Sequence, residues 1–353
     1  MRYAFGAHMA LKLSAPEFWY KHNVLSVVLY PAALLYRCMI VLRRWYYKAI
    51  GTSTELKQIL QDYGAKVLVV GNLTVGGVGK TPLVAYLATM FKRHDYRVAI
   101  VMRGYGGRAR CYPHLVRKDD TAVVVGDEAC MLVRTVELPV VIDPRRSRAV
   151  SWLVKQGYNL ILSDDGLQHY QMPRQGELVV FNAEYGWGNG WLLPAGPLRE
   201  PLSRLKTVDW VVANYNSSNR LFDNKQKRCW YGKRVYTIQV RPYCVVNVVN
   251  SSLRYPVTQW SGVTVVAIAA IGCPDKFFAT LASLGITVKT RYRYPDHYHF
   301  TTEDFNSWGE EIVIMTAKDA VKISEARSNF WYLEIGLEVE EELDKQLLIW
   351  ASN

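Results

Sequence analysis

Cysteine and histidine are scarce in this chain and badly placed for metal chemistry. The six cysteines, Cys38, Cys111, Cys130, Cys229, Cys244 and Cys273, form no C-x-x-C pair and have no histidine at zinc spacing. That spacing excludes a zinc module and a disulfide framework, and it predicts reduced thiols. Acidic residues are also short, 31 against 43 lysines and arginines, for a formal charge of +12. The deficit points to an anionic partner: nucleotide, nucleic acid or an acidic membrane surface. No internal repeat and no low-complexity tract is present. The uncharged run VLSVVLYPAALLY, Val24 to Tyr36, stops at Arg37, short of the ~20 apolar residues of a membrane span.

What is there describes a folded α/β protein. Hydrophobic residues make up 50% of 353 and charged ones 21%, which excludes a disordered chain and allows two modest cores. Short runs of β-branched residues (KVLVV, RVAIVM, TAVVV, LPVVI, NLILS, ELVVF, WVVAN) alternate with helical or loop segments. Continuous rather than alternating apolar runs belong to strands covered on both faces, hence a mainly parallel sheet with helices on both sides. The polar stretch SSNRLFDNKQKR reads as a connector. Beyond it RVYTIQV, GVTVVAIAAIG, ITVKTRY, EEIVIM and FWYLEI announce a smaller α/β unit. The predicted organisation is a membrane-interacting segment 1–50, a nucleotide-binding domain 51–228 and a smaller domain 229–353. A helix starting near Pro31 would gather Arg37, Arg44 and Lys48 on one stripe, with Leu34, Leu35, Ile40, Val41 and Leu42 covering much of the rest and Trp45, Tyr46 and Tyr47 following. That is the pattern of an interfacial helix on anionic lipid.

The stretch TVGGVGKTP, directly after KVLVV, carries the chemistry. Its glycines Gly76, Gly77 and Gly79 let backbone N–H groups turn inward around phosphate oxygens, with Thr74, Val75 and Val78 completing the turn. Lys80 reaches β and γ oxygens, and the Thr81 hydroxyl suits Mg²⁺. The guanine signature N/T-K-x-D is absent, since TAKD, Thr316 to Asp319, has its lysine one place late, and this steers away from a switch protein. Position 75, where partitioning-type ATPases carry a lysine, is Val75. Acidic residues after predicted strands face the ligand crevice, Asp164 and Asp165 in LILSDDG and Asp127 and Glu128 in VVVGDEA, and of these Asp164, Asp165 and Glu128 are metal candidates. In PDHYHF, His297 is a candidate proton-transfer group. No nucleic-acid-binding module is legible in the basic residues.

These motifs in order resemble the tetraacyldisaccharide 4′-kinases, the lipid A 4′-kinase family. The matching stretches are NLTVGGVGKTP, MRGYGG, GDE, DDGLQH, GNGWLLPAGPLREP, AIGCPDKFF, PDH and TAKDAVK, and together they span nearly the whole chain. Ala317, Ala129 and Asn182 depart from the family's usual residues. The departure at Ala317 leaves Lys318 outside the catalytic set. The resemblance implies an ATP- and Mg²⁺-dependent kinase acting on the 4′-hydroxyl of an acylated glucosamine disaccharide 1-phosphate at the cytoplasmic face of a bacterial inner membrane. It implies no obligate protein partner. It also implies that Arg103 and Gln168 grip the disaccharide, and that Asp127, paired with His297 when the smaller unit closes, accepts the hydroxyl proton. The alternative from another class is a membrane-docked P-loop ATPase serving as a nucleotide-gated binding module.

Overall fold

A computed structural model of the protein describes residues 16–51, 53–215, 229–296 and 298–353. The predicted connector and His297 lie outside the described residues. In chain order the larger unit carries α1 (Val24–Ile50), α2 (Thr54–Asp62), β1 (Lys66–Gly71), α3 (Lys80–Arg93), β2 (Val98–Met102), β3 (His114–Leu115), α4 (Ala122–Val125) and α5 (Asp127–Thr135). It continues with β4 (Val140–Ile142), α6 (Arg146–Lys155), β5 (Leu160–Asp164), β6 (Gly176–Asn182), β7 (Trp210–Tyr215), β8 (Cys229–Trp230) and β9 (Lys233–Asn247). Its strands run in the order β9-β7-β6-β1-β5-β2-β4-β3. All neighbours from β9 to β4 are parallel, and β3 closes the edge antiparallel to β4.

Alternation along these buried strands gives each face its own cover. Val67 and Val69 of β1, with Ala99, Val101 and Ile161, pack in one core with Leu56 and Leu60 of α2 and Ala149, Val150 and Leu153 of α6. Leu68 and Val70 point the other way, and α3 packs on β1, β2 and β5. Both faces are thus covered, which is why the strands read as unbroken apolar runs.

The smaller unit, Cys244–Leu333, contains β10 (Arg254–Pro256), β11 (Thr264–Ala269), α7 (Pro274–Ser283), β12 (Thr287–Arg293), α8 (Thr302–Ser307), β13 (Val313–Thr316), α9 (Ala317–Ala320) and the start of β14 (Phe330–Val339). Four parallel strands, in the order β12-β11-β13-β14, carry Val265, Ala267 and Ala269 against Phe277, Phe278 and Leu281 of α7. Val266, Ile268 and Ala270 pack with Phe300, Phe305 and Trp308 on the other face.

The compact units divide the chain differently from the sequence boundaries. The larger one holds Glu17–Tyr243 and Glu334–Asn353, because the strand after the polar stretch pairs first with β7, Val235 beside Val211. The last helix, α10 (Glu341–Ser352), returns to the larger unit. Lys66 Nζ donates to the carbonyls of Trp350 and Ala351, both at 2.9 Å, satisfying acceptors that the helix end leaves open. The first fifty residues are not separate either, since Ala33 and Ile40 of α1 enter the main core.

Helix α1 starts seven residues before the predicted Pro31, at Val24, where Asn23 and Ser26 form a reciprocal capping box. Pro31 sits inside the helix on its exposed side. The helix is 27 residues long, and by length and composition alone it could cross a membrane, so the short uncharged run understated its reach. Only 17% of its most apolar window is buried. Val28, Leu35, Leu42 and Trp45 are each about two-thirds exposed.

TAVVV is a second correction. The run forms the helical turn α4, not a strand, with Ala122 and Val125 buried and Val123 exposed. Gly126 at φ 87 breaks the helix there, and a Cβ at that position would collide with Tyr105 O. Tertiary packing of the MRGYGG loop on this turn overrides the β-propensity of the valines.

Candidate active site

The loop between β1 and α3 opens at the carboxyl edge of the parallel sheet, where α/β folds take ligands. Gly79 stands at the N-cap of α3 with φ 87, a left-handed conformation natural only to glycine. A Cβ there would strike the Asn214 side chain. Asn214 Nδ2 donates to Val78 O at 2.9 Å, so the end of β7 supports the loop from beneath. On the other side Asn72 Nδ2 donates to Thr74 O at 2.6 Å.

Strand register brings the first carboxylate to this loop. Val70 lies beside Asp164 in the β1–β5 pair, and Thr81 Oγ1 donates to Asp164 Oδ2 at 3.0 Å. Asp165 then takes a positive φ of 48, a turn that aspartate tolerates better than most residues. The turn gives the two neighbouring carboxylates different partners. Asp165 Oδ1 pairs with Lys80 Nζ at 3.2 Å and Asp165 Oδ2 with Arg199 Nη1 at 3.2 Å. Lys80 Nζ also donates to Asn72 Oδ1 at 3.0 Å.

The electrostatics separate the pair further. Burial, reinforced by the Glu128 charge, pushes the Asp164 carboxyl up to about 6 from 3.8, and its Oδ1 is buried without a hydrogen bond. Asp165 is held below its ordinary value despite burial, chiefly by Lys80 and then by Arg199. Asp164 thus has an open oxygen and a charge in need of a cation, whereas Asp165 is already neutralised. Mg²⁺ takes one or two carboxylates together with phosphate oxygens, and Thr81 with Asp164 fits that demand.

A stability prediction follows from the Asp164 shift. A raised folded pKa means that the folded state binds the proton more tightly than the unfolded chain, so stability falls as pH rises from about 3.8 to about 6. The full cost, on the order of 3 kcal/mol, persists above that window. Asp164→Asn is therefore expected to raise the melting temperature of the nucleotide-free protein at pH 7.5, with the gain vanishing near pH 4. A gain independent of pH in thermal melts would contradict the assignment.

Asp127 and Glu128 open α5, not the end of a strand. Asp127 is buried at 6% exposure, while Glu128 is exposed but close enough to raise Asp164. Arg103 is exposed just past β2. Gln168 is half-buried, and its Nε2 donates to Asn72 O at 3.2 Å and to Glu200 Oε1 at 3.0 Å. Lys80, Thr81, Glu128, Asp164, Asp165 and Gln168 are therefore linked around one loop.

Sequence reasoning missed several residues of this network. Arg146 is buried at 5% exposure and donates to Asp165 O at 2.7 Å. Burial drags its pKa down although both aspartates oppose this. Its only signal was a basic cluster after β4. Arg199, Glu200 and Asn72 lay inside quoted motifs but had been given no role. Asn214 could have been found from its place at the carboxyl end of a strand.

Comparison with known proteins agrees with this geometry. A sequence model of the family described as Tetraacyldisaccharide-1-P 4′-kinase matches residues 25–351. Tetraacyldisaccharide 4′-kinase of Hahella chejuensis is 39% identical over 323 residues, 91% of each chain. The Legionella pneumophila (strain Lens) protein of the same name is 41% identical, over 90% of this chain and 91% of its own. Among solved structures, the "apo" form of LpxK from Aquifex aeolicus in complex with ATP matches with a TM-score of 0.74 and 26% identity. That match covers 93% of this chain and 99% of the other.

Proposed function

The chain belongs to the tetraacyldisaccharide 4′-kinase family, an ATP-dependent kinase of the lipid A precursor, and from that premise we propose how its own residues carry out the transfer. The γ-phosphoryl group of ATP goes to the 4′-hydroxyl of the tetraacylated disaccharide 1-phosphate, giving the 4′-phosphorylated precursor. A nucleotide-gated binding module without transfer is not favoured by this membership.

ATP phosphates sit in the turn from Thr74 to Thr81, against backbone N–H groups and the start of α3. Lys80 leaves Asp165 for the β and γ oxygens, and Arg199 keeps Asp165 neutralised when it does. Thr81 and Asp164, with Glu128 close by, would hold Mg²⁺, which would neutralise charge on the phosphates. The hydroxyl oxygen bonds to the γ-phosphorus as the bond to the ADP oxygen breaks, and the hydroxyl proton passes to the Asp127 carboxylate. His297 assists Asp127, and Arg103 and Gln168 hold the sugar. The single observation that carries this division is the paired engagement of Thr81 with Asp164 and of Lys80 with Asp165. Transfer of labelled phosphate from ATP to the acylated disaccharide 1-phosphate in mixed micelles tests it. Nucleotide binding with no labelled lipid would refute it.

The acceptor is a lipid, and α1 offers a surface for reaching it at the cytoplasmic face of the inner membrane. Moving one Leu-sized side chain out of water is worth about 1.5–3 kcal/mol, so a few exposed ones suffice for attachment. Its arginines and lysine add attraction to anionic headgroups. Leu35→Asp with Leu42→Asp, both on the exposed face, is expected to cut partitioning onto anionic vesicles at least about tenfold and leave ATP affinity unchanged. Equal partitioning of variant and parent in a flotation assay would exclude α1 as the lipid contact.

A further inference from the structure

A glutamine carboxamide has a donating end and an accepting end of nearly the same shape, and its neighbours decide which end meets a ligand. Gln168 Nε2 donates both to Glu200 Oε1 and to Asn72 O. A carboxylate and a carbonyl only accept, so the reverse orientation would set the Gln168 oxygen against two other oxygens. Both N–H groups are thereby spent inward, and the Gln168 oxygen is the end left for a ligand.

Glu200 is built to impose this. It is 1% exposed, and Arg204 Nε lies 3.5 Å from its second oxygen. Its chain segment is tied to the phosphate loop: Val75 N donates to Pro197 O at 2.9 Å and Arg199 N to Leu73 O at 2.6 Å. Asn72, the other acceptor, holds Lys80 through its side chain. Glu200 therefore cannot shift without moving the loop that seats the nucleotide.

We propose that Glu200 is a positioning residue that fixes the polarity of Gln168, so that the carboxamide oxygen accepts from an O–H or N–H group of the acceptor sugar. The inference rests on the kinase reading, in which Gln168 holds the sugar. Glu200→Gln nearly preserves shape but can donate to Gln168, which frees the carboxamide to flip. Glu200→Asp is smaller yet remains a pure acceptor.

Steady-state kinetics of the full chain, varying the acylated disaccharide 1-phosphate and ATP separately, test the proposal. Glu200→Gln is expected to raise the KM for the lipid about tenfold, the size of one lost hydrogen bond to a ligand, with the KM for ATP unchanged. Glu200→Asp is expected to stay closer to the parent than Glu200→Gln. In a Gln168→Ala background, Glu200→Gln is expected to have no further effect on the lipid KM. The opposite ranking of the two Glu200 variants, equal rises in both KM values, or additive effects in the double variant overturns it. If Glu200→Gln does not fold, Gln168→Ala alone decides: an unchanged lipid KM overturns the proposal. A parent enzyme that binds ATP but phosphorylates no disaccharide instead removes the kinase reading.

Discussion

Asp127→Asn is expected to lower turnover by several orders of magnitude while leaving ATP affinity and the melting temperature close to those of the parent. A sugar hydroxyl is a weak nucleophile at neutral pH, so the transition state gains from a group that takes its proton. Asparagine keeps the shape at the first position of α5 but cannot accept that proton. His297→Ala is expected to cost about 10²–10⁴-fold, and the double variant to be scarcely slower than Asp127→Asn, because groups acting as a unit do not add. Single-turnover rates of the three variants check this. Additive losses would mean that the two side chains act independently, and normal turnover in His297→Ala would reduce that residue to a structural part.

Lys80→Ala is expected to leave no more than about 1% of transfer, a loss of at least about 2.7 kcal/mol in transition-state stabilisation. The fold should tolerate the change. Asp165, the carboxylate that Lys80 leaves behind, is 37% exposed on its side chain and keeps its pair with Arg199. A partly exposed pair of this kind contributes about 1 kcal/mol or less. Retention of more than a few per cent of activity, with melting unchanged, would show that this loop does not seat the transferred phosphate.

The strands and the phosphate loop were legible because both are written in local terms. Unbroken β-branched runs such as KVLVV and NLILS predict strands covered on both faces, and two glycines of GG-x-GKT, Gly76 at φ 111 and Gly79 at φ 87, occupy positions where backbone conformation alone demands them. TAVVV misled for the same reason. Its valines favour a strand locally, but the contact between the turn at Gly126 and Tyr105 O is set by residues distant in sequence. The unit boundaries failed likewise, since nothing in the sequence of α10 says that its last carbonyls will meet Lys66. At the site, the metal candidates Asp164 and Asp165 were indistinguishable as adjacent letters. Only the positive φ at Asp165 and the partners it selects set one carboxylate toward Thr81 and the other toward Lys80. Arg146 stayed hidden because a buried arginine among basic neighbours looks like a solvated charge run.

The return of α10 to the larger unit fixes an order of events during synthesis. Lys66 at the start of β1 and Trp210 at the start of β7 emerge from the ribosome well before Trp350, which packs edge-on against Trp210 with ring centroids 5.8 Å apart. Until α10 has been made, the starts of β1 and β7 lack the contacts that Lys66 and Trp210 make with it. The smaller unit, made entirely in between, can complete its own four-stranded sheet first. The nucleotide-binding half, although it begins earlier in the chain, is the part that finishes last.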